Sequence, residues 1–133
     1  MKENEYQMVS NGISIKVVPQ YEEQHSKPSI GKFTFSYKVT IENMSNKPVK
    51  LVSRHWFIHD SIQIRREVSG EGVVGQQPVL KPGEVFVYSS WCPLQSSLGK
   101  MYGNYNFITL DEEKRKFEAA IPEFILAATF ILN

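Results

Sequence analysis

Phe33, Phe35, Tyr37, Val39 and Ile41 alternate with Thr34, Ser36, Lys38, Thr40 and Glu42. Successive side chains of a strand point to opposite faces, so the alternation predicts a strand with one buried and one wet face. Ile13, Ile15 and Val17 alternate in the same way with Ser14 and Lys16. Further strands are predicted near residues 49–58, 62–68, 84–91, 101–110, 115–120 and 123–132. The intervening Pro28-Ser29-Ile30-Gly31, Asn43-Met44-Ser45-Asn46, Asp60-Ser61, Lys81-Pro82-Gly83 and Asp111-Glu112-Glu113 are turn formers. They supply a fixed φ, tolerance of left-handed backbone or local side-chain bonds. Short strands at regular spacing, with almost no helical period, predict an all-β sandwich or barrel.

One segment is ambiguous. Phe124, Ile125, Leu126, Ala127 and Ala128 are apolar at consecutive positions, and a helix competes there. Pro122 and the β-branched Ile125, Thr129 and Ile131 favour a strand. Residues 1–8 read as a loose terminus and residues 22–31 as a surface loop. No repeat, linker or low-complexity tract interrupts the pattern, so residues 1–133 read as one domain.

Charge narrows the function classes. Fifteen Lys and Arg stand against fourteen Asp and Glu, a net charge of +1. That balance lacks the strong basic field that gathers nucleic acid or anionic lipid, so neither is expected as a partner. No apolar run approaches the roughly 20 residues that span a bilayer, so no membrane insertion is expected. The single cysteine, Cys92, cannot form an intrachain bridge. With no signal peptide in view, this points to a reducing, cytoplasmic setting. Asn43-Met44-Ser45 matches a glycosylation sequon, a short pattern without meaning in that setting.

Gly70-Glu71-Gly72-Val73-Val74-Gly75 matches GxGxxG, the fingerprint of dinucleotide sites. The fingerprint has meaning where a strand enters a helix whose N-terminus holds the pyrophosphate. Here Gln76, Gln77, Pro78, Val79, Leu80, Lys81 and Pro82 follow, with two prolines and no amphipathic period. The segment is therefore expected to continue as extended chain, a glycine-rich loop or bulge between two strands. A weaker chemical reading survives. Successive backbone N–H groups of Gly70, Gly72 and Gly75 could form an anion nest, with Arg65, Arg66 and Lys81 adding positive charge.

His55 and His59 are four apart, beside Asp60. On a strand that spacing separates them by about 13 Å, too far for one metal ion. No metal or cofactor site is expected. Cys92 lacks a recognisable base and reads as a small packing residue. The carboxylates form no acid–base pair, and Asp111-Glu112-Glu113 reads as a solvated hairpin turn. Most of the aromatic residues should fill the space between sheets. Trp91, Tyr102 and Tyr88 are harder to bury by pattern, and they are the candidate interaction surface.

Several blocks resemble one family. Val17-Val18-Pro19-Gln20-Tyr21, Ser53-Arg54-His55-Trp56 and the stretch from Gly70 through Lys81-Pro82-Gly83 are similar to the ApaG family. Gly99-Lys100-Met101-Tyr102-Gly103-Asn104-Tyr105 and Ile121-Pro122-Glu123-Phe124 fit it too, in order along the chain. The resemblance implies an immunoglobulin-like, fibronectin type III-like sandwich of two antiparallel sheets, with about seven to nine strands. It implies a bacterial cytoplasmic protein linked to cobalt and magnesium tolerance, named for a gene beside a dinucleoside-polyphosphate hydrolase. Eukaryotic relatives carry the domain in F-box and polymerase-associated proteins, where protein binding is the presumed role. The family has no accepted enzymatic activity or agreed ligand, and its suspected motif falls on Gly70, Gly72 and Gly75. Trp91 departs from the family, standing where a small residue is expected before Cys92-Pro93-Leu94.

The sequence thus favours a non-enzymatic protein-interaction or regulatory module whose partner is unidentified, a second copy of the chain being one candidate. The alternative is a binder of phosphate, pyrophosphate or a nucleotide through residues 70–75.

Overall fold

The computed structural model describes residues 4–61 and 65–128. Nine strands build two antiparallel sheets packed face to face: β1 (Tyr6–Ser10), β2 (Ile13–Tyr21), β3 (Phe33–Asn43), β4 (Val49–Asp60), β5 (Arg66–Glu71), β6 (Val79–Leu80), β7 (Val85–Leu94), β8 (Leu98–Thr109) and β9 (Lys116–Ala127). The first sheet runs β1-β2-β3-β7. The second runs β5-β4-β8-β9, with the short β6 paired to β4. The fold is the expected β-sandwich.

Alternation dictates the core. In β3, Phe33, Phe35, Tyr37, Val39 and Ile41 are all buried, as the pattern requires. Trp56 of β4 fills the middle of the space between sheets. Its ring lies 5.3 Å from Tyr37, 5.9 Å from Phe124 and 6.3 Å from Tyr105. The last two meet it edge to face, an arrangement favoured by the ring quadrupoles.

The N-terminal expectation is corrected. Tyr6–Ser10 is a strand, not part of a loose terminus, because Asn11 and Gly12 take φ of 51° and 79° and turn the chain back onto β2. Both left-handed positions suit a two-residue hairpin. β1 then reaches across to the other sheet. The Ser10 hydroxyl accepts from Ala120 N–H, the Tyr6 hydroxyl accepts from Ile125 N–H, and Asn11 Nδ2 donates to Glu118 O.

The chain from Lys116 to Ala127 is also corrected, from two strands to one. Pro122 and Glu123 together oppose Tyr102, since the register moves from Met101↔Phe124 to Gly103↔Ile121. β9 is the last strand of its sheet, and a proline without N–H is tolerated at such an edge bulge. The helix that competed at Phe124–Ala128 does not form. The strand expected at residues 62–68 starts at Arg66 in the structure and runs on to Glu71. Its residues 62–64 lie outside the described ones. The surface loop at residues 22–31 holds two single-turn 3-10 helices.

Two turns show how side chains close the sandwich ends. Asn43, the sequon asparagine, is fully buried, and its Nδ2 donates to Lys47 O and Leu80 O. Asp111 closes the β8–β9 turn by accepting from Thr109 Oγ1 and Lys114 N–H, and Lys47 Nζ pairs with it at 2.9 Å. The Lys47 bond, helped by Thr109, pulls the Asp111 carboxyl down to about 2. A carboxyl depressed by folding stabilises above its unfolded pKa, and that contribution fades as pH falls through the folded one. Thermal melts of Asp111→Asn and wild type between pH 7 and about pH 2 should therefore show a gap that narrows below about pH 4. A gap independent of pH would contradict the pairing.

Candidate functional site

The glycine segment turns out to be a tight hairpin. Gly70 still belongs to β5, and a Cβ there would lie 2.9 Å from Arg54 Nη2. Val73 N–H donates to Gln76 O at 2.8 Å and Gln76 N–H to Val73 O at 2.9 Å. Val74 and Gly75 between them take φ of 43° and 77°. Gly72, at φ of 60°, passes so close to Gln76 that a Cβ would sit 2.1 Å from its carbonyl oxygen. Beyond Gly75 the chain continues without a helix into β6. Among the described residues no helix dipole faces the loop. Three of its amides are already committed, since Gly72 N–H goes to Val52 O and those of Val73 and Gln76 close the hairpin.

Val74 is the odd residue. A β-branched side chain at positive φ is strained by about 1–2 kcal/mol, yet Val74 is half exposed. Val74→Asn, which suits the left-handed region, should raise unfolding free energy in urea by about 1 kcal/mol. An unchanged or lowered stability would show that the position is unstrained.

The charged residues expected around the loop divide among different places. Arg65 lies over the Phe57 ring at 5.0 Å and pairs with Glu67. Lys81 begins the turn before β7, where its N–H donates to the Glu84 carboxylate. Arg66 reaches across the sandwich and donates to Pro93 O at 2.6 Å, with Cys92 Sγ at 3.7 Å. The cation at the loop itself is Arg54, whose Nη1 donates to both Glu71 O and Gly72 O at 2.9 Å. Arg54 should by strict alternation share a face with Lys50 and Val52. The β4–β8 register shifts between Leu51 and Ser53. The bulge inverts the parity and places Arg54 on the inner face with Trp56 and Ile58.

Arg54 and Arg66 face a cleft of about 320 Å³ between the sheets. The sandwich is closed where β1 meets β9 and open where β5 faces β7. Tyr37, Trp56, Tyr88, Trp91, Cys92 and Val74 also line the opening. Tyr88 and Tyr105 share a hydroxyl–hydroxyl bond, and Tyr37 bonds Ser90. Burial pushes all three phenols above their ordinary pKa, and Arg54 partly offsets this. Burial also raises the Cys92 thiol despite Arg66 nearby. Neither arginine meets a carboxylate within ion-pair distance among the described residues.

The three candidate aromatics separate likewise. Tyr88 is buried at the cleft. Trp91 is 53% exposed on β7 and meets the His25 ring edge-on at 5.2 Å. Tyr102 stands on the outer face of the second sheet, stacked between Phe57 and His59. His55 continues that stack against Phe57 and bonds Glu67, while His59 Nε2 bonds the Tyr102 hydroxyl.

The sequence model described as ApaG domain matches residues 23–109. The chain belongs to the ApaG family. Protein ApaG of Thiobacillus denitrificans is 43% identical over 121 residues, covering 91% of this chain and 94% of that protein. Protein ApaG of Methylobacterium sp. (strain 4-46) is 47% identical over 121 residues, covering 91% and 92%. A crystal structure of a Bordetella pertussis protein labelled ApaA superposes with a TM-score of 0.82 at 43% identity, covering 86% of this chain and 92% of that one. In this ApaG chain, then, the segment of residues 70–75 is a hairpin wall beside an arginine-lined cleft, and β7 forms the other rim.

Proposed function

We propose that this immunoglobulin-like, fibronectin type III-like sandwich is a non-enzymatic ApaG module that docks an extended segment of a partner protein on the free edge of β7. The supporting observation is the character of that edge. β7 is ten residues long, carries no charged side chain and, among the described residues, pairs with β3 alone. Its outward Val85, Val87 and Trp91 are each about half exposed. Soluble proteins guard long edges with charges, proline, bulges or brevity, since an open row of peptide groups templates another strand. The other edges are guarded in those ways. β5 is six residues with Arg66, Glu67 and Glu71, β9 has Pro122 and a bulge, and β1 has five residues and packs on β9. Among the described residues, Pro93 and the Arg66 guanidinium bonded to its carbonyl guard the far end of β7 and leave residues 85–91 open. Strand addition at such an edge draws affinity from main-chain bonds and specificity from alternate side chains.

A role in cobalt and magnesium tolerance would on this reading act through the bound partner, in the cytoplasm. No helix among the described residues is long and apolar enough to cross a membrane. Val87→Lys on β7 is expected to abolish partner capture from lysate, while Met8→Lys on β1, at similar exposure, leaves it intact. Both variants should melt within a few degrees of wild type. Capture that survives Val87→Lys would refute edge docking.

Arg54 and Arg66 favour a second reading, in which the rim at residues 70–75 takes phosphate or pyrophosphate. Titrating pyrophosphate should then shift the amides of Val74 and Gly75, and unmoved amides would end it.

A further inference from the structure

Resting on the docking role of β7, we infer that the partner segment carries an acidic side chain which enters the inter-sheet cleft between Arg54 and Arg66.

A strand added beside β7 would lie over the open side of the sandwich. Its alternate side chains would point, like Tyr88, Ser90 and Cys92, into the space between the sheets. That space is the arginine-lined cleft. Its walls are aromatic and aliphatic, from Tyr37, Trp56 and Val68, so the segment's other inward side chains would be apolar. At the two arginines the chemistry changes. Arg54 spends Nη1 on two loop carbonyls, and Arg66 spends one nitrogen on Pro93 O. A guanidinium carries five N–H donors, so both retain donors for an incoming group. Neither lies within ion-pair distance of a carboxylate among the described residues, and the buried Asp60 carboxylate nearby accepts from Gln95 N–H and the Ser96 hydroxyl. Two cations beside a low-dielectric cleft favour a carboxylate and disfavour a lysine.

The same bookkeeping of charge argues against a second copy as the occupant. An edge-to-edge pairing of two β7 strands brings Phe86, Tyr88, Ser90, Cys92 and Leu94 and no acidic group. It would leave both arginines uncompensated.

The test uses the full chain and three capped peptides, each ~8 residues of alternating Thr and Val. They differ at one central position on the Val face, which is Glu, Gln or Lys. Amide NMR titration should show the Glu peptide shifting residues 85–91 and binding about tenfold or more tightly than the Gln peptide. The Lys peptide should bind most weakly. The Glu preference should shrink in Arg66→Gln and at high salt, with the β7 shifts retained. If all three peptides shift β7 with equal affinity, the acidic side chain is refuted and edge docking stands. If none shifts β7 at millimolar concentration, both fall. If sedimentation shows a dimer that Val87→Lys dissolves, the occupant is a second copy and the inference is overturned.

Discussion

Gly72→Ala is expected to destabilise the protein by about 3–5 kcal/mol, while Gly75→Ala costs only about 1 kcal/mol. Both glycines have positive φ, so each substitution meets the left-handed penalty for an L-residue. They differ in space. A Cβ at Gly72 would lie 2.1 Å from Gln76 O and 2.8 Å from its carbonyl carbon, whereas at Gly75 nothing lies within 4 Å. The obstacle at Gly72 is backbone, so relief requires opening the hairpin and breaking its paired Val73–Gln76 bonds. Gly70→Ala falls between in geometry but meets only the flexible Arg54 guanidinium. Urea unfolding of the three variants should therefore give Gly72 by far the largest loss. Equal, small losses would return the glycines to a role in close approach of a ligand.

Trp56→Ala should cost about 3–5 kcal/mol, a large share of the stability of an ordinary domain. The indole is 3% exposed and touches rings from both sheets, through Tyr37 on one side and Tyr105 and Phe124 on the other. Removing it leaves a void that neither sheet can close without breaking its own ladder. Trp56→Phe keeps a ring in the gap and should cost less than half as much. Calorimetric melts of the pair distinguish a central keystone from a replaceable filler. A Trp56→Ala protein melting within a few degrees of wild type would place the core elsewhere.

Much of the fold was legible from residues with a strict period of two. β3 alternates without interruption over its length, and the structure buries each odd position. The β1 hairpin was legible too, through Asn11-Gly12, a dipeptide whose left-handed preference signals a two-residue turn. The prediction of a loose terminus overlooked it. Bulges were not legible. Nothing in Leu51-Val52-Ser53-Arg54 announces that Val52 is an extra residue, and that one insertion turns Arg54 from the outer face to the cleft. At Pro122 the signal was present but equivocal, because a proline can end a strand or sit in an edge bulge. The topology decided between them. The candidate site suffered most from this limit. Arg66, Tyr88 and Trp91 were singled out from residue type, and they meet at the cleft. Arg65 and Tyr102 do not join them, since they face away from the cleft while their neighbours Arg66 and Met101 line it, and Lys81 lies in the turn before β7. The open edge of β7 is a relation between strands far apart in the chain, and no local pattern encodes it.

Amide hydrogen exchange of the protein alone and of its complex with a captured partner tests the docking strand most directly. The amides of residues 85–91 not bonded to β3 should exchange rapidly in the free protein and slow strongly in the complex. Slowing confined to the outer-face stack of His55, Phe57 and Tyr102, with β7 unchanged, would contradict it.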